Sequence, residues 1–230
     1  IEVSVDAFVW RVDNVLVANG SIVPPLDTSV LRVSFELRAG RQSYGNQAVS
    51  GVMLDWYRTQ PRNAVAKPRR QILSELFTSM FVLSAACKYR LVVGATNYLY
   101  WIDGEWSLSL IAPEEWSPER RAGFAGACEL QRDMTWTIAP SALLAEDGPV
   151  SDAIHRFYEG FAEMLDTDLT LAEVLPYCVG SIPYYRRIQA NAVSRSLRAT
   201  LELGDQASTS CRQWQALLPR LTSELLTHGA

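Results

Sequence analysis

Asp103, Glu105, Glu114, Glu115 and Asp133 are candidate catalytic carboxylates of the predicted strand region. Two facing carboxylates can do acid–base work when burial raises the pKa of one of them. Asp103, however, belongs to an Asp-Gly turn, and Glu114 and Glu115 follow Pro113 as first-turn residues would. Solvated turn and helix-start acids are therefore the simpler expectation. Other chemistries lack their parts. His155 and His228 are the only histidines, and neither has partners at zinc-ligand spacing. His155 falls in a predicted helix with Glu159 one turn on, a pair that helix geometry alone explains. The sequence contains no G-x-x-x-x-G-K-[ST], G-x-G-x-x-G or G-x-S-x-G run, the signatures of phosphate loops, dinucleotide folds and nucleophile elbows. Cys87, Cys128, Cys178 and Cys211 are widely spaced among apolar neighbours. They read as reduced, buried small hydrophobes of an intracellular, cytoplasmic protein. No catalytic residue, metal or cofactor is expected, and a non-enzyme is the favoured reading.

The elements that would position these groups alternate in kind along the chain. With 230 residues, 48% of them apolar and 20% charged, the sequence has material for a core without disulfides or metal. The net charge of −4 gives no reason to expect nucleic acid over the whole surface. No membrane span is expected, because the best apolar run, Leu76 to Cys87, is too short for a bilayer, and no targeting segment is visible.

Residues 1–60 read as β-rich, with Asn19-Gly20 as a turn and Val49 to Tyr57 open to helix or strand. After a linker at Pro61–Pro68, Ile72, Leu76, Met80 and Leu83 beside Leu73, Phe77 and Phe81 predict a helix over 69–88. Leu91–Val93, Tyr98–Ile102, Trp106–Ile111 and Met134–Ile138 predict strands, and Asp103-Gly104 predicts a tight hairpin. The last third predicts helices beginning near Ser151, over Tyr184–Leu203 and over Thr209–Leu226, the last kinked or divided at Pro219. The fold class is thus α+β: N-terminal strands, a central helix packed on an antiparallel β-meander, and a helical C-terminal third. Three regions follow, 1–60, 66–145 and 146–230, or all of them as one compact domain.

Tyr98 to Thr137 is the most distinctive stretch. It runs Y-L-Y-W-I-D-G-E-W-S-L-S-L-I-A-P-E-E-W, then Phe124, then E-L-Q-R-D-M-T-W-T. Tyr98-Leu99-Tyr100, Gly104, Ser109-Leu110-Ile111, Pro113, Glu115-Trp116, Phe124, Leu130, Asp133 and Trp136-Thr137 together resemble the core motif of the domain of unknown function 2452 family. That resemblance, over about residues 98–137, implies a structural module and transfers no catalytic residue. On strand geometry, Tyr98 and Tyr100 point to one face and Leu99 and Trp101 to the other. Trp106, Trp116 and Trp136 add further area. Such rings either pack under helices or offer a surface to a partner.

A second candidate surface lies in the helical third. Eight acids against Arg156 fill Glu146 to Glu173, whereas Arg187, Asn191, Arg195 and Arg198 align on one helix stripe. That stripe suits phosphate, RNA or an acidic neighbour, and Lys67, Arg69 and Arg70 would extend it if the fold brought them near. The leading expectation is a non-catalytic interaction or structural protein, a subunit of a protein assembly, binding through Tyr98, Tyr100, Trp101, Trp106, Trp116 and Trp136. The alternatives are a self-assembling coat or nucleoprotein subunit using Arg187, Arg195 and Arg198, a carboxylate-based hydrolase or transferase, and a small-ligand sensor. Self-association or a protein partner is expected, with nucleic acid as the weaker option.

Overall fold

The computed structural model describes residues 10–12, 15–17, 54–144, 146–175, 184–220 and 222–227. The chain divides into two compact units, Ile1–Gln60 with Pro176–Asn191, and Pro61–Leu175 with Ala192–Ala230. In the first, β1 (Trp10–Val12) pairs antiparallel with β2 (Val15–Val17). The other predicted N-terminal strands lie outside the described residues. Residues 54–58 are helical, so the described end of the ambiguous segment is helix, and its residues 49–53 lie outside the described residues.

The second unit is built on a central helix and a four-stranded antiparallel sheet. Helix α1 (Arg69–Ser84) begins after Pro68, whose extended backbone suits a helix entry. Every residue from Ile72 to Ser79 is buried. The predicted two-row stripe therefore understates the helix, which is enclosed on all sides and so sits in the core. Its polar residues are satisfied there: Ser74 Oγ donates to the Leu225 carbonyl, and Ser79 Oγ accepts from Trp136 N at 3.0 Å. Phe77 is packed by Phe157 and Phe161, with ring centroids 5.5 and 5.1 Å away.

The helix stops at Ser84, short of the predicted Lys88, because the chain leaves it to pair with the sheet. Ala86 N donates to Trp106 O at 2.7 Å and accepts Leu108 N at 2.9 Å on its carbonyl. This bridge covers part of an edge strand that would otherwise expose its backbone groups.

The sheet comprises β3 (Thr96–Ile102), β4 (Glu105–Ser109), β5 (Phe124–Leu130) and β6 (Trp136–Pro140), in the order β4-β3-β5-β6. The predicted Asp103-Gly104 hairpin is present. Both residues have positive φ, 53° and 82°, and the pairing starts at Ile102↔Glu105. Leu91–Val93 is not a strand. Val92 and Val93 are exposed and enter a turn closed by Ala95 N on Val92 O at 3.2 Å.

The sequence reading missed β5, although it is a central strand. Its middle, Ala125-Gly126-Ala127, offers no β-branched signal. The reason is closeness of packing: a Cβ on Gly126 would lie 2.6 Å from Ala139 O and 2.8 Å from Ile138 Cγ1. Gly126→Ala is therefore expected to cost about 1–3 kcal/mol through overpacking, read as a lowered urea midpoint. An unchanged midpoint would mean that β5 and β6 are not so tightly apposed.

The last third is helical, as expected. Helix α2 (Pro149–Met164) starts two residues before Ser151, with Pro149 in its first turn, and α3 spans Tyr184–Leu203. Beyond it, α4 (Cys211–Gln215) and α5 (Thr222–Thr227) stand on either side of Pro219, so the predicted last helix is divided. Among the described residues, no helix is long and apolar enough to cross a membrane.

Candidate functional site: a polar cleft floored by Lys67

The structure brings together three ionisable side chains from three separate segments. Lys67 comes from the linker, Glu75 from the middle of α1 and Asp133 from the β5–β6 turn. Lys67 Nζ donates to Glu75 Oε1 and Oε2 at 2.8 and 2.7 Å and to Asp133 Oδ2 at 2.7 Å. The side chains are 10%, 5% and 10% exposed in the order Lys67, Glu75, Asp133. Further partners complete the cluster. Gln71 Nε2 donates to Glu75 Oε1 at 3.0 Å, and Asp133 Oδ1 accepts from Thr135 N at 3.0 Å and Thr135 Oγ1 at 2.7 Å. All four carboxylate oxygens are thus engaged, as a buried charge requires.

Local geometry aims Asp133 inward. Met134 N donates to Gln131 O at 3.0 Å and Gln131 N to Thr135 O at 2.9 Å, which closes a three-residue hairpin loop. Met134 takes φ 70°, the position such loops usually give to glycine. A left-handed methionine costs on the order of 1–2 kcal/mol; its side chain is 3% exposed, and that burial offsets the strain.

The cluster forms the floor of a cleft of about 560 Å³. Arg62, Asn63, Gln131 and Arg132 stand around it, Thr135 and Thr137 contribute hydroxyls, and Val93-Gly94 form part of the wall. Arg62 N donates to Arg132 O at 3.0 Å, fixing the linker to the hairpin loop.

The three charges are held at different points of their titration. Burial pushes Glu75 above its ordinary value, more than Lys67 and Gln71 pull it down. Burial alone would raise Asp133, but the hydrogen bonds from Lys67 and Thr135 outweigh it and hold that carboxyl low. Burial would likewise lower Lys67, but Asp133 and Glu75 together raise it above 10.5. The stabilisation from Lys67 is therefore whole below pH 10.5 and is lost as pH climbs through the raised value. That from Asp133 is present above pH 3.8 and is lost as pH falls through its lowered one. Glu75 works the other way, as a cost that develops above pH 4.5. Urea midpoints of the wild type and Lys67→Met are expected to converge as pH rises past 10.5. A gap that stays constant into strong alkali would show that Lys67 carries no charge in the fold.

Residues 57–148 match the model of a family described as Protein of unknown function (DUF2452). The DUF2452 segment is less than half of the chain, yet it includes every residue lining the cleft. It extends well before the stretch on which the resemblance was read, taking in the linker and α1. No curated protein matches the chain, and no solved structure does.

The residues singled out from the sequence are distributed differently. Tyr98–Thr137 does fold as adjacent antiparallel strands that gather the rings. Trp106 packs on Phe81 of α1 at 4.7 Å and on Trp101 at 4.9 Å, while Arg156 of α2 lies over Trp101. Trp136 is fully buried. On the other sheet face, Tyr100 is also fully buried, and its hydroxyl donates to Ile111 O at 2.9 Å. Burial pushes the Tyr100 pKa up to about 12. Half-buried Tyr98 and Trp116 complete that group through Phe124 and Tyr100.

The arginine stripe of α3 is equally enclosed. Arg187 and Arg195 are half-buried, Asn191 is buried, and burial lowers Arg195 to about 10. Arg198 donates to the carbonyls of Ala172 and Leu175. Glu114 and Glu115 are exposed on a single turn, Pro113–Glu115, so of the proposed acids Asp133 alone reaches the cleft. His155 sits exposed, 3.6 Å from Glu159.

Glu75 escaped the sequence reading, and Lys67 entered it only as an extension of a basic patch. The usable signal was Glu75 itself, a lone charge in the otherwise uncharged run from Gln71 to Cys87. An ionisable group on an enclosed helix requires a counter-charge. Among the described residues, no three His, Cys, Asp or Glu side chains converge to hold a metal ion.

Proposed function

We propose that the protein is a non-catalytic binding protein whose contact site is the polar cleft of the DUF2452 segment. The observation that carries this reading is the cleft's floor: Lys67, Glu75 and Asp133 saturate one another with hydrogen bonds beneath an opening of about 560 Å³. That size falls within the range of small-molecule sites. With every carboxylate oxygen already accepting a hydrogen bond, the cluster supplies a rigid, polar, pre-shaped base. The aromatic strands contribute by packing against the helices that hold this base.

The experiment is a thermal-shift screen with neutral, cationic and anionic polar small molecules, on the wild type and on Val93→Trp. Val93 lines the cleft and is 39% exposed, so an indole there fills the space without removing a hydrogen bond. At least one compound is expected to raise the wild-type Tm saturably and to leave Val93→Trp unmoved. A compound set that shifts both proteins alike, or neither, would contradict the proposal.

A second reading keeps protein assembly as the function. Leu110 and Ile111, just beyond the edge strand β4, are 59% and 40% exposed, and apolar exposure beside a sheet edge favours association. Native mass measurement of Leu110→Asp separates the two readings, since a complex lost in that variant belongs to this second one.

A further inference from the structure

Two arginines line the cleft outside its buried ionic cluster. Arg62 and Arg132 are both exposed and both line it. The hydrogen bond between Arg62 N and Arg132 O keeps their backbones adjacent. Among the described residues neither side chain forms an ion pair; the acids nearest the floor, Glu75 and Asp133, are taken by Lys67. Subtracting that cluster leaves Arg62 and Arg132 against the single carboxylate of Glu129 in the lining. Arg62 and Arg132 are thus the exposed cations of the lining, and together with Lys67 they balance its three carboxylates, Glu75, Glu129 and Asp133.

We infer that the ligand is a small molecule carrying an oxyanion, a carboxylate or a phosphate, which Arg62 and Arg132 bind together. This rests on the cleft being the binding site. Guanidinium forks match both oxyanions with paired, charge-assisted hydrogen bonds. Partial enclosure strengthens those bonds relative to open water. The buried cluster below contributes by fixing Arg132, next in sequence to Asp133, and the linker that carries Arg62.

The test titrates the full chain with inorganic phosphate, acetate, succinate and citrate by calorimetry, with sodium chloride holding ionic strength constant. At least one anion is expected to bind saturably. Arg62→Gln and Arg132→Gln should each weaken it by about tenfold, as for loss of a charged hydrogen bond, and the double variant should abolish it. Because both side chains are exposed, the ligand-free Tm of each variant should stay near that of the wild type. Preference for phosphate or for the carboxylates supports the inference either way and identifies which oxyanion is native to the site. Binding that is indifferent to both arginines, or that is lost equally to added chloride, would overturn it. If a neutral compound stabilises the wild type and not Val93→Trp while every anion fails, the inference falls and the cleft reading stands. If nothing binds at the cleft, both fall.

Discussion

Replacing Lys67 with methionine is expected to destabilise the protein by about 3–5 kcal/mol, the usual cost of stranding buried partners of a broken ion pair. For a chain of this size that corresponds to a Tm lower by roughly 6–20 °C. Without the ammonium, Glu75 and Asp133 face each other at 5% and 10% side-chain exposure. One of them must take up a proton or draw in water. The loss should be partly recovered by adding Glu75→Gln, which removes a charge and retains hydrogen-bonding capacity. That recovery distinguishes unpaired charge from simple loss of the lysine stem. Urea unfolding followed by tryptophan fluorescence measures both variants. A loss below about 1 kcal/mol, the range of solvent-exposed pairs, would mean that the cluster is open to water and does not organise the cleft floor.

Phe77→Ala is expected to have a comparable effect, about 3–5 kcal/mol, the range for truncating a buried aromatic. Phe77 is fully buried, and its ring meets Phe81, Phe157, Tyr158 and Phe161, so it joins α1 to α2. The cavity would lie two residues along α1 from Glu75. The same substitution should therefore also weaken any ligand bound in the cleft, by loosening the helix that positions Glu75 and Gln71. Phe77→Leu, which keeps most of the volume, should cost much less. Equal urea midpoints for Phe77→Ala and the wild type would place α1 outside the core and undo the packing account.

Elements with a strong local signal were legible in the sequence. The spacing of Ile72, Leu76 and Phe77 marked α1, Asp103-Gly104 marked the hairpin with its demand for positive φ, and Pro219 marked the break between α4 and α5. Where the determinant is tertiary, the signal disappears. β5 is central because Gly126 lets β6 approach, and small residues carry no strand preference. The end of α1 was misplaced because Ala86 is drawn off to bridge β4.

The cleft was the least legible feature. Lys67 and Asp133 are 66 residues apart in sequence, and no periodicity relates them. Lys67 looked like part of a basic run with Arg69 and Arg70, although its charge is spent inside the protein, whereas Arg69 is exposed and reaches Thr209 Oγ1 at 3.3 Å. The aromatic residues were visible for the opposite reason: bulk is conspicuous in a sequence, yet most of it here covers the core.

A ligand in the cleft above Lys67 would leave a local footprint on the protein. Backbone amide NMR of the labelled protein, titrated with the anion that calorimetry selects, reads that footprint residue by residue. Perturbed signals are expected to centre on Arg62–Lys67, Gly94 and Gln131–Thr135, while those of Trp101, Trp106, Arg195 and Arg198 stay in place. Shifts confined to the aromatic strands or to α3, with the Lys67 and Asp133 amides unmoved at saturation, would contradict binding in the cleft.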